Sequence, residues 1–285
     1  MRHDPEVQQA ATMWQLGLPR SPVAGRTGEL LGRGTGSSLE FQEHREYMPG
    51  DDIRHLDWAA WGRSDALMVR LYREEISPRV EIMLDVSRSM ETGNGSKSAV
   101  GRRLAALLAM LAGRMGGQPA ITLLGDERPL PAVRLESLEI LSGMKCTAQS
   151  TLTGLLDEHQ LPLRSQAVRI VISDFLFPHD PASLVRQLAG QASALWLVQL
   201  LTAWEADPQP LGGRRLADVE TGGEIDLRIN RQTIDIYRNR LTRLQTELDR
   251  NCRRAHATFI RAVADPGLGA VCRSELSAAG LVRPG

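Results

Sequence analysis

The amino-acid sequence predicts an α/β protein in which helices cover both faces of a mostly parallel sheet. From residue 80 onward, short apolar runs alternate with longer segments whose apolar residues recur at helical spacing. This alternation is typical of a parallel sheet, which binds ligands at the carboxyl ends of its strands. The mostly apolar runs at 80–84 and 168–173 each lead directly into a carboxylate, Asp85 and Asp174. The two aspartates therefore mark a predicted binding edge.

Length, charge and cysteine content exclude several classes of protein. The chain has 285 residues, enough to bury a sizeable core, and its 34 basic residues balance 34 acidic ones. This balance gives no overall attraction to nucleic acid or to an anionic membrane. The three cysteines form no Cys-x-x-Cys pair, which is typical of a reducing compartment. Without a signal-peptide pattern or an apolar run of about 18 residues, we expect a cytoplasmic protein with no membrane insertion and no nucleic-acid partner.

Residues 1–78 are expected to form an N-terminal segment packed on the main domain. Apolar spacing over residues 5–17 predicts a short amphipathic helix. The glycine-rich stretch at 32–38 follows no buried strand, so it predicts a flexible loop and not a phosphate-binding loop. Strand-like segments at 39–47 and 67–76 flank a polar centre in which arginines and aspartates are numerous enough to neutralise one another. That centre is expected to be structural.

Residues 79–265 are expected to form the main domain, and residues 266–285 a C-terminal tail. An apolar stripe from residue 104 to residue 115 predicts a helix that begins at residue 97 and is laid on the sheet. The loop before this helix lacks two glycines that a phosphate-binding loop needs. A hairpin excursion is expected at about 208–229. Further strands are predicted at 120–124, 131–135, 168–173, 194–201 and 257–262, and helices near 138 and at 152–159, 182–188, 234–252 and 274–282.

Three oxygen-bearing side chains, Asp85, Ser87 and Ser89, leave the end of the first strand at alternate positions. An oxygen-only set of this kind suits a hard divalent cation such as Mg²⁺ or Mn²⁺. The alternative is that these side chains cap backbone amides at a strand-to-helix turn. Asp174 supplies a second strand-end carboxylate at the same edge, which favours the metal site.

This arrangement resembles a von Willebrand factor A domain with its metal-ion-dependent adhesion site. The Asp-x-Ser-x-Ser pattern at 85–89 matches the first motif of that family completely. In the family, a threonine from a second loop and an aspartate from a third loop complete the site. The resemblance implies that Thr151, with Thr153 as the alternative, and Asp174 have these roles. Leu152 stands where the family often has an aspartate.

A block upstream of the metal motif carries a second, more specific resemblance. It contains Arg45-x-Tyr47, Pro49-Gly50-Asp51-Asp52-x-Arg54 and Asp57-Trp58. This block is similar to the domain-of-unknown-function 58 family, over roughly residues 30–262. Family members of this pattern carry a von Willebrand A-like domain behind a strand-containing segment, and they are commonly encoded beside MoxR-type AAA+ ATPases. Many have N-terminal membrane helices. This sequence shows no such apolar segment, so we expect it to be similar to the soluble subgroup.

Together the resemblances imply a non-enzymatic protein-interaction module. Neutral serine and threonine ligands leave a divalent ion electron-poor, so that it binds an incoming carboxylate strongly. The expected partner is a MoxR-type AAA+ ATPase or its client, in the assembly or maturation of other proteins. The expected metal ligands are Asp85, Ser87, Ser89, Thr151 and Asp174.

Two other functions stay open at this point. One is a metal-independent scaffold in which the site is vestigial. The other is a metal-assisted phosphoryl-transfer enzyme with Asp85 as nucleophile. Such enzymes place a second carboxylate two residues later to act as acid and base, and Ser87 cannot do this near neutral pH. The sequence therefore favours a recognition site.

Overall fold

The structure is a computed structural model, and the chain divides into two compact units. Residues 1–24 and 78–285 form the first unit, and residues 25–77 form the second. The domain boundaries expected from the sequence stay a prediction. The described residues are 1–17, 39–51, 53, 56–64, 66–74, 79–92, 95–125, 133–149, 152–157, 161–209, 212–217 and 224–285.

Helices and strands alternate through most of the first unit, and a strand pair and a short helix form the second. The α-helices are α1 (Pro5–Met13), α2 (Trp58–Ser64), α3 (Ser96–Arg114), α4 (Leu152–Asp157), α5 (Pro181–Ala189), α6 (Ala203–Ala206), α7 (Arg231–Arg254) and α8 (Leu268–Val271). The strands are β1 (Trp14–Leu16), β2 (Leu39–Glu46), β3 (Met68–Glu74), β4 (Arg79–Asp85), β5 (Gln118–Leu124), β6 (Val168–Ser173), β7 (Ala194–Leu201), β8 (Gly212–Ala217), β9 (Glu224–Ile229), β10 (Thr258–Val263) and β11 (Val282–Pro284). In the part of the chain that the structure describes, no helix has both the length and the apolar character needed to span a bilayer.

The main sheet has five parallel strands in the order β5-β4-β6-β7-β10. By chain order within the sheet this is 2-1-3-4-5, a doubly wound arrangement whose switch point lies between β4 and β6. Ile82 in the middle of β4 pairs with Ile121 on one side and Ile170 on the other. The predicted α/β fold class is confirmed.

Two apolar cores lie on opposite faces of this sheet, because successive side chains of a strand point to opposite sides. In β7, Trp196 and Val198 belong to one core, whereas Leu195 and Leu197 belong to the other. The first core is covered by α1 and α3, and the second by α5 and α7. Helix α3 is rich in alanine and leucine, which favour helices, and its chain turns away at Gly116, whose φ is +72°.

The two ends of the described chain meet in a small antiparallel sheet. Helix α1 begins at the N-cap Asp4 and ends at Met13, and strand β1 follows and pairs with β11. The sequence predicted a helix over residues 5–17 and a second helix over 274–282. Both predictions run too far, because the pairing of Leu16 with Val282 is a contact between remote segments that local spacing does not encode.

The second unit contains the antiparallel pair β2–β3, with a bulge between Phe41 and Glu43. Part of the predicted polar network is present. Arg45 donates to Asp51 at 2.8 Å, and His44 Nε2 lies 2.8 Å from a carboxylate oxygen of Asp57. Other members of that network, Asp52 and Arg54, and the glycine-rich stretch at 32–38 lie outside the described residues.

Two smaller predictions have different outcomes. The expected hairpin excursion is present, since β8 and β9 pair antiparallel from Gly212–Ile229 to Ala217–Glu224. The strand expected at 131–135 is reduced, in its described residues, to one antiparallel bridge between Val133 and Ile121. A 3₁₀-helix, Leu135–Leu141, follows.

A buried ion pair links the neighbouring strands β4 and β6 near their amino ends. Arg169 on β6 lies opposite Glu81 on β4, and its Nε donates to Glu81 Oε2 at 2.7 Å. The guanidinium also donates to the backbone carbonyls of Leu188, Gly190 and Arg164. Both side chains are at most 4% exposed, so each charge depends on these partners.

We expect Arg169→Met to lower the free energy of unfolding by about 3 to 5 kcal/mol, because the buried Glu81 carboxylate would lose its counter-charge. Urea unfolding followed by circular dichroism measures the loss. The matched double variant Arg169→Met/Glu81→Leu removes both charges and should lose less than the single variant. Equal losses in the two variants would contradict this account of the pair.

Candidate functional site

Two buried carboxylates meet at the switch point of the sheet. Asp85 is the last residue of β4, and Asp174 follows the last residue of β6, its parallel neighbour. Asp85 is 4% exposed and Asp174 is 0% exposed. Parallel strands end at one edge, so the fold brings together the two aspartates that the sequence separates by 89 positions.

The two serines of the motif lie beside each other in the turn after β4. Ser87 N donates to Asp85 Oδ1 at 2.8 Å, and a 3₁₀-helix, Arg88–Glu91, then folds the chain back. As a result Ser87 Oγ and Ser89 Oγ are 3.0 Å apart. Adjacent oxygens of an Mg²⁺ octahedron with bonds of about 2.1 Å are separated by about 3.0 Å. The spacing of the hydroxyls therefore fits two neighbouring ligands of one ion.

The second loop begins next to the first. Ala148 forms a parallel bridge with Ser87, and its backbone bonds both Val86 and Arg88. Thr151 lies outside the described residues, so its assignment as a ligand stays a prediction. Thr153 lies in α4, and its Oγ1 is buried and has no hydrogen-bond partner among the described residues. An unpaired buried hydroxyl is unfavourable, so the Thr153 oxygen is suited to bind a metal ion.

Backbone and side-chain donors hold the two carboxylates in place. Ser173 Oγ donates to Asp85 Oδ2 at 2.5 Å, and Leu176 N donates to Asp174 Oδ1 at 3.0 Å. Between them Phe175 adopts a φ of +54°, a left-handed conformation that is uncommon for a bulky residue. Gln199 on the neighbouring strand donates to the Asp174 carbonyl at 2.8 Å.

A buried lysine enters the site from α3. Lys97 Nζ donates to Asp174 Oδ2 at 2.9 Å and to Glu205 Oε1 at 2.8 Å, and the Lys97 side chain is 0% exposed. Glu205 also accepts hydrogen bonds from Thr92 Oγ1 at 3.0 Å and Thr202 N at 2.8 Å. The site thus contains a cation of the protein's own.

Sequence reasoning missed Lys97 and Glu205, although both left a signal. Lys97 stands on the apolar stripe of α3, four positions before Gly101 and seven before Leu104, where a charged residue must be paired. Thr202 and Glu205 have the spacing of a capping box, and the structure contains that box at the start of α6.

Burial and charge shift the ionisation of the site. Burial and, to a smaller extent, the nearby charge of Asp174 raise the pKa of the Asp85 carboxyl from its usual 3.8 to about 6. Hydrogen bonds from Ser173 and Ser87 act in the opposite direction. Burial lowers the pKa of Lys97, but the carboxylates of Asp174 and Glu205 outweigh this, and the net shift is upward.

The donor set consists of carboxylate and hydroxyl oxygens. Within the described ranges, no group of three or more histidine, cysteine, aspartate or glutamate side chains is placed to hold a metal ion. The candidate site combines two carboxylates with serine hydroxyls, a set that matches hard cations such as Mg²⁺ and Mn²⁺.

The geometry defines an α/β protein with two buried carboxylates and a pair of serine hydroxyls at the switch point of a parallel sheet. The family model described as "Protein of unknown function DUF58" matches residues 43–248. The match covers more than half of the chain, and the chain belongs to this family. The resemblance of the block at 45–58 to that family is confirmed.

Three curated relatives share the same degree of similarity with the chain. Each is 25% identical over 236 residues, which are 77% of this chain and 73% of the relative. They are described as uncharacterized proteins: Rv1480 and MT1527 of Mycobacterium tuberculosis and Mb1516 of Mycobacterium bovis.

Two solved structures are also similar to the chain, each at 12% identity and over 69% of its length. One is the conserved hypothetical protein BatB from Bacteroides thetaiotaomicron, with a TM-score of 0.40 and 96% of that chain covered. The other is an aerotolerance-related membrane protein from Bacteroides fragilis carrying multiple mutations to serine, with a TM-score of 0.37 and 97% covered.

The raised pKa of Asp85 predicts that the free energy of unfolding depends on pH in protein freed of divalent ions with EDTA. The folded state holds the Asp85 proton more tightly than the unfolded state, so the contribution of this group to stability is fully present below about pH 4 and is lost as the pH rises through about 6. The side chain in Asp85→Asn cannot titrate. We therefore expect the free energy of unfolding of this variant, relative to that of wild type, to rise by up to about 3 kcal/mol between pH 4 and pH 7.

Urea unfolding at several pH values measures this difference. Asp249→Asn, which makes the same substitution in a surface ion pair with Arg253, is the matched control and should follow wild type. Parallel pH profiles of wild type and Asp85→Asn would contradict the prediction.

Proposed function

We propose that the protein is a non-enzymatic protein-interaction module that binds Mg²⁺ or Mn²⁺ and uses the ion to engage an acidic residue of a partner. The observation that carries the proposal is the pair of serine hydroxyls, 3.0 Å apart, beside two buried carboxylates. The proposed ligands, direct or through water, are Asp85, Ser87, Ser89, Thr151 (or Thr153) and Asp174.

The charge of the buried cluster supports a divalent ion. The cluster contains three carboxylates and one ammonium, which leaves two negative charges when all are ionised: Asp85, Asp174, Glu205 and Lys97. Uncompensated charge inside a protein is unfavourable. An ion of charge +2 would balance the cluster.

The arrangement of the ligands supports recognition of a carboxylate. Asp174 is fully buried, whereas Ser87 is 6% exposed and Ser89 is half-buried, so the hydroxyl side lies nearer to solvent. An ion held there would keep its open position toward the surface. Because its hydroxyl ligands are neutral, the ion would attract an aspartate or glutamate of another protein.

A recognition role also suits the surroundings of Asp85. Both of its oxygens accept hydrogen bonds, from Ser87 N and Ser173 Oγ, which stabilises the carboxylate as a fixed ligand. A carboxylate nucleophile with a second acid two residues away is the alternative arrangement, and Ser87 stands at that position. Phosphoryl transfer is therefore the less favoured function.

Family membership supports the kind of partner. The chain belongs to the DUF58 family. The proposed partner follows from the resemblance stated above, because members of that family are commonly encoded beside MoxR-type AAA+ ATPases. We propose that the carboxylate is contributed by such an ATPase or by its client, in the assembly or maturation of other proteins, in the cytoplasm.

A second candidate function, a metal-independent scaffold, is favoured by one observation. The ammonium of Lys97 already lies 2.9 Å from Asp174, so part of the charge that an ion would supply is present in the chain. In this case the site would be vestigial and the surface would bind its partner without metal.

We expect isothermal titration calorimetry to detect Mg²⁺ or Mn²⁺ binding to wild type, and Ser87→Ala and Asp174→Asn to abolish it. At 100 times the dissociation constant the ion should stabilise the fold by about 2.7 kcal/mol and raise the melting temperature by roughly 5 to 10 °C. Asp249→Asn is the control and should bind like wild type. Wild type that shows neither heat nor a thermal shift would favour the scaffold.

Retention of the purified MoxR-type ATPase from the same genome on immobilised protein tests the partner. We expect retention in Mg²⁺, its loss in EDTA, and its loss in Ser87→Ala but not in Asp249→Asn. The ion would bridge the two proteins, so both losses have one cause. Retention that survives EDTA and Ser87→Ala would contradict an ion-mediated contact.

A further inference from the structure

Lys97 is an unusual basic residue in this chain. Only two of the 34 basic residues are lysines, Lys97 and Lys145, and the others are arginines. Lys145 is exposed, whereas Lys97 is 0% exposed. An arginine presents a planar fork of donors, but an ammonium is a compact point charge that fits between two carboxylates. The single buried lysine is therefore suited to hold a concentrated positive charge next to Asp174.

The ammonium occupies a position that bears directly on a bound ion. Asp174 Oδ1 accepts from Leu176 N and Asp174 Oδ2 accepts from Lys97 Nζ, so both oxygens of this proposed ligand are engaged. Glu205 holds the ammonium from its other side at 2.8 Å and is itself fixed by Thr92 and Thr202. Lys97 is thus kept in place from several directions.

Coulomb repulsion sets the consequence. Two cations that share one carboxylate in a medium of low dielectric repel each other much more strongly than they would in water. A divalent ion that uses Asp174, directly or through water, must either bind beside the ammonium or draw the carboxylate away from it. Either way, part of the attraction between Asp174 and the ion is lost.

We propose that Lys97 is a tethered cation that competes with the divalent ion for Asp174 and so sets a low affinity of the site for that ion. This inference rests on the proposed function, because it concerns the same site. It adds that the site keeps its shape without an ion, since the ammonium supplies a counter-charge when no ion is bound. The ion is then exchangeable and is not required for folding.

The test compares Mg²⁺ and Mn²⁺ titrations of wild type, Lys97→Met, Lys97→Arg and Lys145→Met by calorimetry. Lys97→Met removes the charge and keeps the length of the side chain, and we expect it to bind the ion at least tenfold more tightly. Lys97→Arg keeps the charge and should show no gain. Lys145→Met makes the same substitution on the surface and should match wild type.

The outcomes separate this inference from the proposed function. Tighter binding by Lys97→Met than by wild type supports the inference. If Lys97→Met binds the ion and wild type does not, the inference is supported and the proposed function is overturned. Unchanged or weaker binding by Lys97→Met, with binding by wild type, overturns the inference alone. Absence of binding in both proteins overturns both.

Loss of folding in Lys97→Met is also informative, because the variant leaves Asp174 and Glu205 without their counter-charge. If the variant is unfolded in EDTA and folds when Mg²⁺ or Mn²⁺ is added, as followed by circular dichroism, the ion replaces the ammonium and the inference is supported. A variant that stays unfolded with either ion would overturn it.

Discussion

The structure of the first unit depends on the placement of two carboxylates, Asp85 and Asp174, inside the protein at the ends of adjacent strands. Burying like charges side by side is unfavourable unless hydrogen bonds and opposite charge surround them. The neighbouring elements supply these partners, Ser173 from β6 for Asp85 and Lys97 from α3 for Asp174, and Gln199 from β7 holds the backbone carbonyl of Asp174. The loops at this edge are therefore arranged around a shared electrostatic requirement.

Further hydrogen bonds connect this edge of the sheet to α7. Gln245 on α7 donates to Gln199 at 2.9 Å, and Tyr237, two turns earlier, donates to the Glu205 carbonyl at 2.7 Å. The part of α7 between these two residues is thus attached to β7 and to α6 by polar contacts. Nearer its carboxyl end, Leu248 and Cys252 pack in the second apolar core. The helix is held by two kinds of interaction along its length.

Much of the fold was predictable because its signals are local. The apolar runs of β4 and β6, each ending on an aspartate, and the stripe of α3 are short-range patterns, so the fold class and the meeting of Asp85 with Asp174 followed from them. The partners of these carboxylates were not predictable. Lys97 lies 77 positions from Asp174 in sequence, and only the packing of α3 on the sheet brings them together. The role of Thr151 stays a prediction, since the structure does not describe that residue.

The pairing of β1 with β11 has a consequence for how the chain reaches its final form. Leu16 pairs with Val282, so strand β1 leaves the ribosome long before its partner exists. At a synthesis rate of about 5 to 20 residues per second, the wait is roughly 15 to 50 seconds. The main sheet can assemble during that interval, because β10, the last of its strands, precedes β11. The two-stranded sheet can pair only once β11 has been synthesised, when every strand of the main sheet is already available.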